Sequence, residues 1–247
     1  MLPETFPVDV AKYNREGYQT APTVLTELRL AEMRVEADRL MTLCGEEPIR
    51  YAKRIEWEKD HLEDGVSKGM EKTIRKLEPI SDLSPIFKDL AYRPEITNPI
   101  CEIFGEPVEL FEDKLNLKLP GGSAYPWHQD WVCCWRAHTD RLITCFIYLD
   151  DADAENGCLQ VVPRSHIGKP ILPFRNGSRF EVDPACFDPA KVIPVPLKAG
   201  EMIFFDPYLL HYSDRNRGHA PRRAIIYTYH PASLGKINEA RFPADAS

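Results

Sequence analysis

Three residues in the second half of the chain have the types and spacing of a metal site. His128 and Asp130 lie two residues apart in the segment 125–131, so an extended strand would place both side chains on the same face. One imidazole and one carboxylate occupy adjacent positions on a metal, and a second imidazole completes a facial triad that leaves three positions open. Such a triad is typical of non-haem iron(II) oxygenases, whereas a hydrogen-bonded structural pair is the alternative interpretation of this spacing alone.

His211 is the candidate for the third ligand. It follows the apolar run 202–205 and the loop-like Asp206-Pro207, where a barrel strand would end at its open mouth. The other histidines lie in charged stretches, after a turn, or without a partner at useful spacing: His61, His138, His166, His219 and His230. We therefore predict that His128, Asp130 and His211 bind one metal ion.

Arg222 begins an apolar segment eleven residues after His211. A guanidinium at this position can bind a dicarboxylate end-on through two parallel hydrogen bonds. In an extended strand Arg222 and Arg223 face opposite sides. If Arg222 points inward, Ala224 and Ile226 share its face and leave room for a small cosubstrate. A surface arginine at a strand edge is the alternative.

Composition favours a globular, cytoplasmic protein whose partner is a small molecule. The 247 residues can form one domain, and the net charge of −7 provides no basic field for nucleic acid. Residues 1–10 lack the order of a secretory signal, and no apolar run is long enough to cross a membrane. The seven cysteines have no CxxC spacing, so we expect reduced thiols and neither disulfides nor a zinc site.

The pattern along the chain changes from helical to β-rich. Residues 23–41 have near-helical apolar spacing, through Val24, Leu28 and Val35 among others, and 83–92 and 94–104 are typical of short helices. Short β-rich runs follow: 115–119, 142–149, 158–162, 202–205 and 224–229. Asn156-Gly157 indicates a hairpin between two of them. We expect one domain over 1–247, with a helical part to about 105 and a β core over about 106–235.

The chain resembles the phytanoyl-CoA dioxygenase family of iron(II), 2-oxoglutarate oxygenases over most of its length. The resemblance rests on motifs in a fixed order: residues 13–18, Trp127-His128-Gln129-Asp130, 156–159 leading into 162–166, His211-Tyr212-Ser213, and Pro221-Arg222-Arg223-Ala224. Two residues depart from the family pattern. Phe146 stands where some relatives carry tryptophan, and Arg164 replaces the glycine frequent in a Pro-Gly-Ser-His turn.

The resemblance implies a mainly β fold with flanking α-helices, namely a double-stranded β-helix or cupin-like jelly roll. It implies that His128, Asp130 and His211 bind Fe(II) and that Arg222 binds the distal carboxylate of 2-oxoglutarate, with O2 as the second cosubstrate. Further residues are assigned to the cosubstrate site: Ser213, Phe146, Leu115, Lys76 and Gln129.

The activity that the resemblance implies is hydroxylation of a C–H bond in a small-molecule metabolite, as in secondary metabolism, with release of succinate and CO2. Asp130 disfavours halogenation, because related halogenases lack this carboxylate. Candidate residues for the substrate pocket lie in the loop 168–189 and in an aromatic cluster: Phe174, Arg175, Arg179, Phe187, Trp131 and Trp135. The alternatives are a non-catalytic jelly-roll protein that binds or senses metal, and a hydroxylase of protein side chains. The sequence does not indicate an oligomeric state.

Overall fold

The computed structural model describes residues 6–23, 25–61, 69–136, 138–178 and 180–237. Its α-helices are α1 (Val10–Glu16), α2 (Glu27–Glu46), α3 (Pro85–Ala91) and α4 (Pro94–Phe104). Its strands are β1 (Tyr18–Ala21), β2 (Ile55–Trp57), β3 (Ile74–Leu77), β4 (Val108–Lys118), β5 (Tyr125–His128), β6 (Ile143–Tyr148), β7 (Leu159–Val161), β8 (Ile193–Val195), β9 (Met202–Phe205), β10 (His211–Ser213) and β11 (Arg222–Pro231).

The strands form two antiparallel sheets that pack against each other. The seven-stranded sheet has the order β1-β9-β6-β11-β4-β3-β2, and the four-stranded sheet has the order β5-β10-β7-β8. Phe146 and Ile226 of the larger sheet pack in one apolar cluster with Leu159 and Val161 of the smaller sheet. A second apolar cluster fills the space between the larger sheet and the helices. This is the predicted jelly roll with flanking helices.

Helix α2 confirms a predicted helix but buries a different face. Thr26 begins it by accepting a hydrogen bond from the backbone N–H of Arg29 at 3.2 Å. The buried apolar residues recur every third or fourth position: Leu30, Met33, Ala37, Leu40 and Cys44. Leu28 and Val35, which the prediction used, are 73% and 70% exposed, because aliphatic residues occur on both sides of this helix. Val24 lies outside the described residues.

The amino-terminal part is less helical than the sequence suggests. Strands β1, β2 and β3 belong to the larger sheet, and Lys76 of β3 pairs in register with Asn116 of β4. The charged residues of β2 and β3 contact one another, as in the ion pair of Arg75 with Glu56 at 3.0 Å. These pairs remove the apolar alternation on which strand prediction depends.

The turn at Asn156-Gly157 forms, but it is not a hairpin turn. It connects β6 and β7, which lie in different sheets. Gly157 has φ +79°, and an added Cβ would lie 2.1 Å from the carbonyl oxygen of Asp214. Asn156 instead stabilises the turn through its side chain, which accepts from Asp153 N and donates to the carbonyl of Asp151. The close approach to Asp214 requires glycine here.

Within the described ranges, no helix has the length and apolar character needed to span a membrane.

Candidate active site

The two predicted histidine ligands face each other across a pair of antiparallel strands. His128 ends β5 and His211 begins β10, and the strand register pairs them directly. Their ring centroids are 4.0 Å apart. Both residues are buried between the sheets. The sequence predicts that both bind metal, but only the pairing of β5 with β10 brings them together.

Backbone carbonyls orient both imidazoles. His128 Nδ1 lies 2.7 Å from the carbonyl oxygen of Pro126, and His211 Nδ1 lies 2.9 Å from that of Leu209. A carbonyl can only accept, so each Nδ1 carries the hydrogen and each Nε2 keeps its lone pair. This is the arrangement in which histidine binds a metal through Nε2.

Asp130 completes the donor set. Its Oδ1 lies 3.5 Å from His128 Nε2 and 3.7 Å from His211 Nε2. The Thr144 hydroxyl donates to the other carboxylate oxygen at 3.0 Å, which fixes the rotation of the side chain. The ligand atoms of all three residues lie within 4.8 Å of one another. One ion can therefore contact all three, as a two-histidine, one-carboxylate site for iron(II) requires.

The protonation states of the site suit metal binding. Burial would raise the pKa of Asp130, but His211 and His128 lower it below the ordinary value. Burial and the neighbouring His128 lower the pKa of His211 to about 4. At neutral pH Asp130 is therefore an anion and His211 a neutral imidazole, which are the forms that bind metal.

Arg222 lies in the same cavity as the three ligands. It is 1% exposed, yet its Nε and Nη2 have no hydrogen-bond partner among the described residues. Unpaired buried donors on a charged group are costly, so this guanidinium fits an anionic ligand. Ile226 also lines the cavity, and Ala224 packs in the same apolar cluster. The predicted inward face of β11 is therefore confirmed.

Two of the predicted cosubstrate neighbours, Ser213 and Phe146, line this cavity. The amino group of Lys118 donates to Ser213 Oγ at 2.7 Å, which positions that hydroxyl. Burial and the neighbouring Arg222 hold the pKa of Lys118 well below its ordinary value. Tyr125 also lines the cavity, and its buried hydroxyl has no hydrogen-bond partner among the described residues. These groups surround the space beside Arg222.

Lys76 reaches the cavity wall, but its ammonium already has two carboxylate partners. Nζ lies 2.9 Å from Glu56 Oε2 and 3.0 Å from Glu78 Oε2. Burial would lower its pKa, but these two carboxylates raise it above the ordinary value. Lys76 is therefore a protonated and paired residue, and its contact with 2-oxoglutarate stays a prediction.

The structure does not bring two other predicted residues to the cavity. Leu115 lies on the helix-facing side of the larger sheet, where it packs in the apolar core and pairs in register with Leu77. The Gln129 amide donates to the carbonyls of Pro170 and Tyr208 at 3.0 and 2.7 Å. Strand alternation turns Leu115 away from the site, and Gln129 attaches the loop after residue 168 to the end of β5. Both assignments to the cosubstrate are corrected.

Sequence reasoning missed the polar face of β4. Lys114 and Asn116 line the cavity, and Lys118 follows at the same spacing. The signal was present, because these residues alternate with leucines in a strand that lies in the protein interior. Polar residues at every second position of such a strand must face a polar cavity or buried partners.

Among its described residues, the loop 168–189 contributes one cavity residue, Phe180, which was not among the predicted ones. Its ring stacks on His128 with centroids 4.5 Å apart. Phe174 pairs with Val182 in an isolated bridge, and Phe187 packs against Trp127 instead. Arg175 forms an exposed ion pair with Glu181, and Arg179 lies outside the described residues. The aromatic pair Trp131 and Trp135 packs beside the cavity and does not line it.

Comparison with known proteins agrees with this geometry. Residues 13–224 match the family model of phytanoyl-CoA dioxygenase. The chain belongs to the phytanoyl-CoA dioxygenase family. Its His128, Asp130 and His211 could hold one metal ion, and Arg222 lines the same cavity.

Two curated relatives and one solved structure show how far this family likeness extends. Methylphosphonate hydroxylase of Gimesia maris is 36% identical over 139 residues, which are 56% of this chain and 51% of the relative. The 2-aminoethylphosphonate dioxygenase of an uncultured bacterium is 27% identical over 183 residues, 71% of this chain and 69% of the relative. EctD from S. alaskensis with bound Fe has a TM-score of 0.71 at 22% identity, covering 91% of this chain and 76% of that one. The match thus spans about half of the first relative, and the EctD structure shows the shared fold.

Proposed function

We propose that this protein is an Fe(II)- and 2-oxoglutarate-dependent dioxygenase that hydroxylates a C–H bond of a small-molecule metabolite. One observation carries the proposal: a two-histidine, one-carboxylate donor set shares a buried cavity with Arg222, whose Nε and Nη2 have no hydrogen-bond partner in the part of the chain that the structure describes. Family membership supports it, and so do the two relatives whose names give a hydroxylase and a dioxygenase of small phosphonates.

Different side chains of the cavity would bind the metal and the cosubstrate. His128, Asp130 and His211 would hold iron on one face, and Arg222 would bind the distal carboxylate of 2-oxoglutarate through two hydrogen bonds. Iron and 2-oxoglutarate, when bound, supply activation of O2 with release of succinate and CO2. Asp130 occupies the position that a halogenase needs vacant, which favours hydroxylation.

The walls of the cavity complete the site. Phe146 and Ile226 present apolar surface between Arg222 and the metal ligands, which excludes water from the reacting groups. Lys118 holds the Ser213 hydroxyl in place. This hydroxyl would donate a hydrogen bond to the distal carboxylate of 2-oxoglutarate, which Arg222 also binds. Rigid strands position all of these groups, as a reactive site requires.

The non-catalytic alternative is less favoured because of Arg222. A protein that only binds or senses metal needs the triad, but it does not need a buried guanidinium in the same cavity whose Nε and Nη2 have no partner among the described residues. The other alternative is a hydroxylase of protein side chains. No feature of the described surface favours this function.

Succinate formation tests the proposal. The purified protein is freed of metal with a chelator and then supplied with 2-oxoglutarate and O2, with and without Fe(II), across a panel of small metabolites that includes methylphosphonate and 2-aminoethylphosphonate. We expect iron-dependent succinate, increased by a true substrate, and none from the Asp130→Ala variant. Equal succinate with and without iron, or none under any condition, would contradict the proposal.

A further inference from the structure

Besides Arg222 and the paired Lys76, the cavity is lined by a third cationic residue, Lys114, at a distance from Arg222. In the register of β4 with β11, Arg222 lies opposite Lys118, and Ile226 lies opposite Lys114. Four residues of strand separate these rows, or about 13 Å at about 3.3 Å per residue. Lys114 lines the cavity together with Asp130, whose charge acts on it. Lys114 therefore belongs to the metal end of the cavity and Arg222 to the opposite end.

The ammonium group of Lys114 has N–H donors that Glu112 does not use. Glu112 is the one carboxylate in ion-pair contact with it among the described residues. Glu112 is itself fixed, since its Oε2 accepts from Trp135 Nε1 at 3.0 Å and its side chain is fully buried. An ammonium has three hydrogens, and Glu112 accounts for one of them. The others can serve a ligand in the cavity.

The charge of Lys114 persists in this setting. Burial would lower its pKa, but Glu112, Glu78 and Asp130 raise it above the ordinary value. Lys76, the other lysine of the cavity wall, is matched by two carboxylates. Among the described residues, Lys114 thus has one carboxylate in direct contact where Lys76 has two, which makes Lys114 the better binding site for an anion.

We propose that Lys114 binds the anionic head group of the substrate, which makes the substrate a small organic anion, a phosphonate or a carboxylate. This inference rests on the proposed function and narrows its substrate class. The head group would contact Lys114, and the carbon to be oxidised would pack against Phe180, whose ring lies 4.5 Å from that of His128. The anion thereby fixes which carbon faces the metal.

Matched ligands and variants test this assignment. A short alkylphosphonate, the carboxylate of equal carbon number and its uncharged amide are compared by calorimetry on anaerobic, iron-loaded protein with 2-oxoglutarate, and by the succinate they induce. We expect at least one of the anions to bind better than the amide. Lys114→Met should weaken that binding about ten- to hundredfold, the range for hydrogen bonds to charged groups. Affinity for 2-oxoglutarate should stay close to wild type.

Two further variants keep the test decisive. Lys114→Met leaves Glu112 buried without its cation, so the double variant Lys114→Met/Glu112→Gln removes both charges and preserves the fold. It should show the same loss. Lys198→Met is the control, because Lys198 pairs with Asp151 at 2.7 Å on the surface. It should bind every ligand as wild type does.

The outcomes separate the two proposals. A preference for phosphonate or for carboxylate supports the inference and names the head group. Equal binding of anions and amide, or a loss of 2-oxoglutarate affinity as large as the loss of anion affinity in the Lys114 variants, overturns it. Absence of iron-dependent succinate in the wild type contradicts the proposed function itself.

Discussion

Arg222 and Arg223 are adjacent in β11 and have opposite environments. Arg222 lines the cavity, and its Nε and Nη2 have no hydrogen-bond partner within the described ranges. Arg223 binds Asp150 with two nitrogens, at 2.8 and 2.9 Å, and Asp38 with the third at 2.6 Å. Strand alternation alone makes this division, so one arginine is free for a ligand and the other joins β11 to its surroundings.

Lysine substitution should separate these two roles. Arg222→Lys removes the planar fork and should raise the KM for 2-oxoglutarate about ten- to hundredfold, or about 1.5–3 kcal/mol. Arg223→Lys should lower the melting temperature and leave that KM near wild type, since its partners are Asp150 and Asp38. Steady-state kinetics and thermal melts decide, and equal KM changes would mean that the inward residue is misassigned.

Alanine at any triad position should abolish iron-dependent turnover and weaken iron binding. His128, Asp130 and His211 each supply one ligand atom, and two protein ligands hold iron much less well than three. Iron content after dialysis and succinate formation are the measurements. His166→Ala is the matched control, because His166 hydrogen bonds to the Asn14 carbonyl instead. Wild-type iron content in a triad variant would remove that residue from the ligand set.

Thr144 should influence the metal through Asp130. Thr144→Val removes the hydrogen bond to Asp130 Oδ2 without changing the shape, and loss of such a support costs about 10–100-fold in metal affinity or activity. Thr228 lies opposite Thr144 in the register, and its buried hydroxyl has no hydrogen-bond partner among the residues that the structure describes. Thr228→Val should therefore leave iron affinity unchanged. Similar iron affinities for the two variants would show that the hydrogen bond from Thr144 to Asp130 does not influence metal binding.

The parts of the site that follow from local geometry could be predicted from the sequence. His128 and Asp130 come together as their two-residue spacing predicts, although β5 ends at His128 and Asp130 has helical backbone angles, φ −53° and ψ −47°. The inward turn of Arg222 depends only on the alternation of an extended chain. The same alternation places Leu115 in the core. Its assignment to the cosubstrate came from motif matching and ignored the direction of the side chain.

The remaining parts depend on which strands pair. Lys114 and Asn116 become cavity residues because β4 pairs with β11, and Phe180 because its loop crosses the end of β5. The contacts of Gln129 with Pro170 and Tyr208 likewise join segments far apart in the chain. Sequence prediction relies on the periodic spacing of apolar residues within one segment, and this spacing does not show which distant segments will pair.

Arg164 holds a backbone conformation that suits glycine. Its φ is +69°, and its backbone N–H donates to the carbonyl of Glu16 at 2.9 Å. The left-handed region costs a residue with a side chain about 1–2 kcal/mol, which glycine avoids. Glycine also loses more conformational entropy on folding, which offsets about 0.5–1 kcal/mol of this gain. Arg164→Gly should thus raise the free energy of unfolding by about 0.5–1 kcal/mol in urea titrations. Arg164→Ala keeps the strained φ, and an equal gain from it would exclude this cause.

Phe180 should govern the substrate and not the cosubstrate. Its ring stacks on His128 and lines the cavity, so Phe180→Ala opens space beside the metal and should weaken substrate binding or change which carbon is oxidised. Iron and 2-oxoglutarate affinities should stay near wild type, because Arg222, His128 and His211 sit on strands and Thr144 of β6 holds Asp130. Phe174→Ala is the control from the same loop, where Phe174 pairs with Val182 away from the cavity. Product analysis and substrate KM are compared for the two variants. Unchanged values for Phe180→Ala, or equal changes in both, would assign the loop a purely structural role.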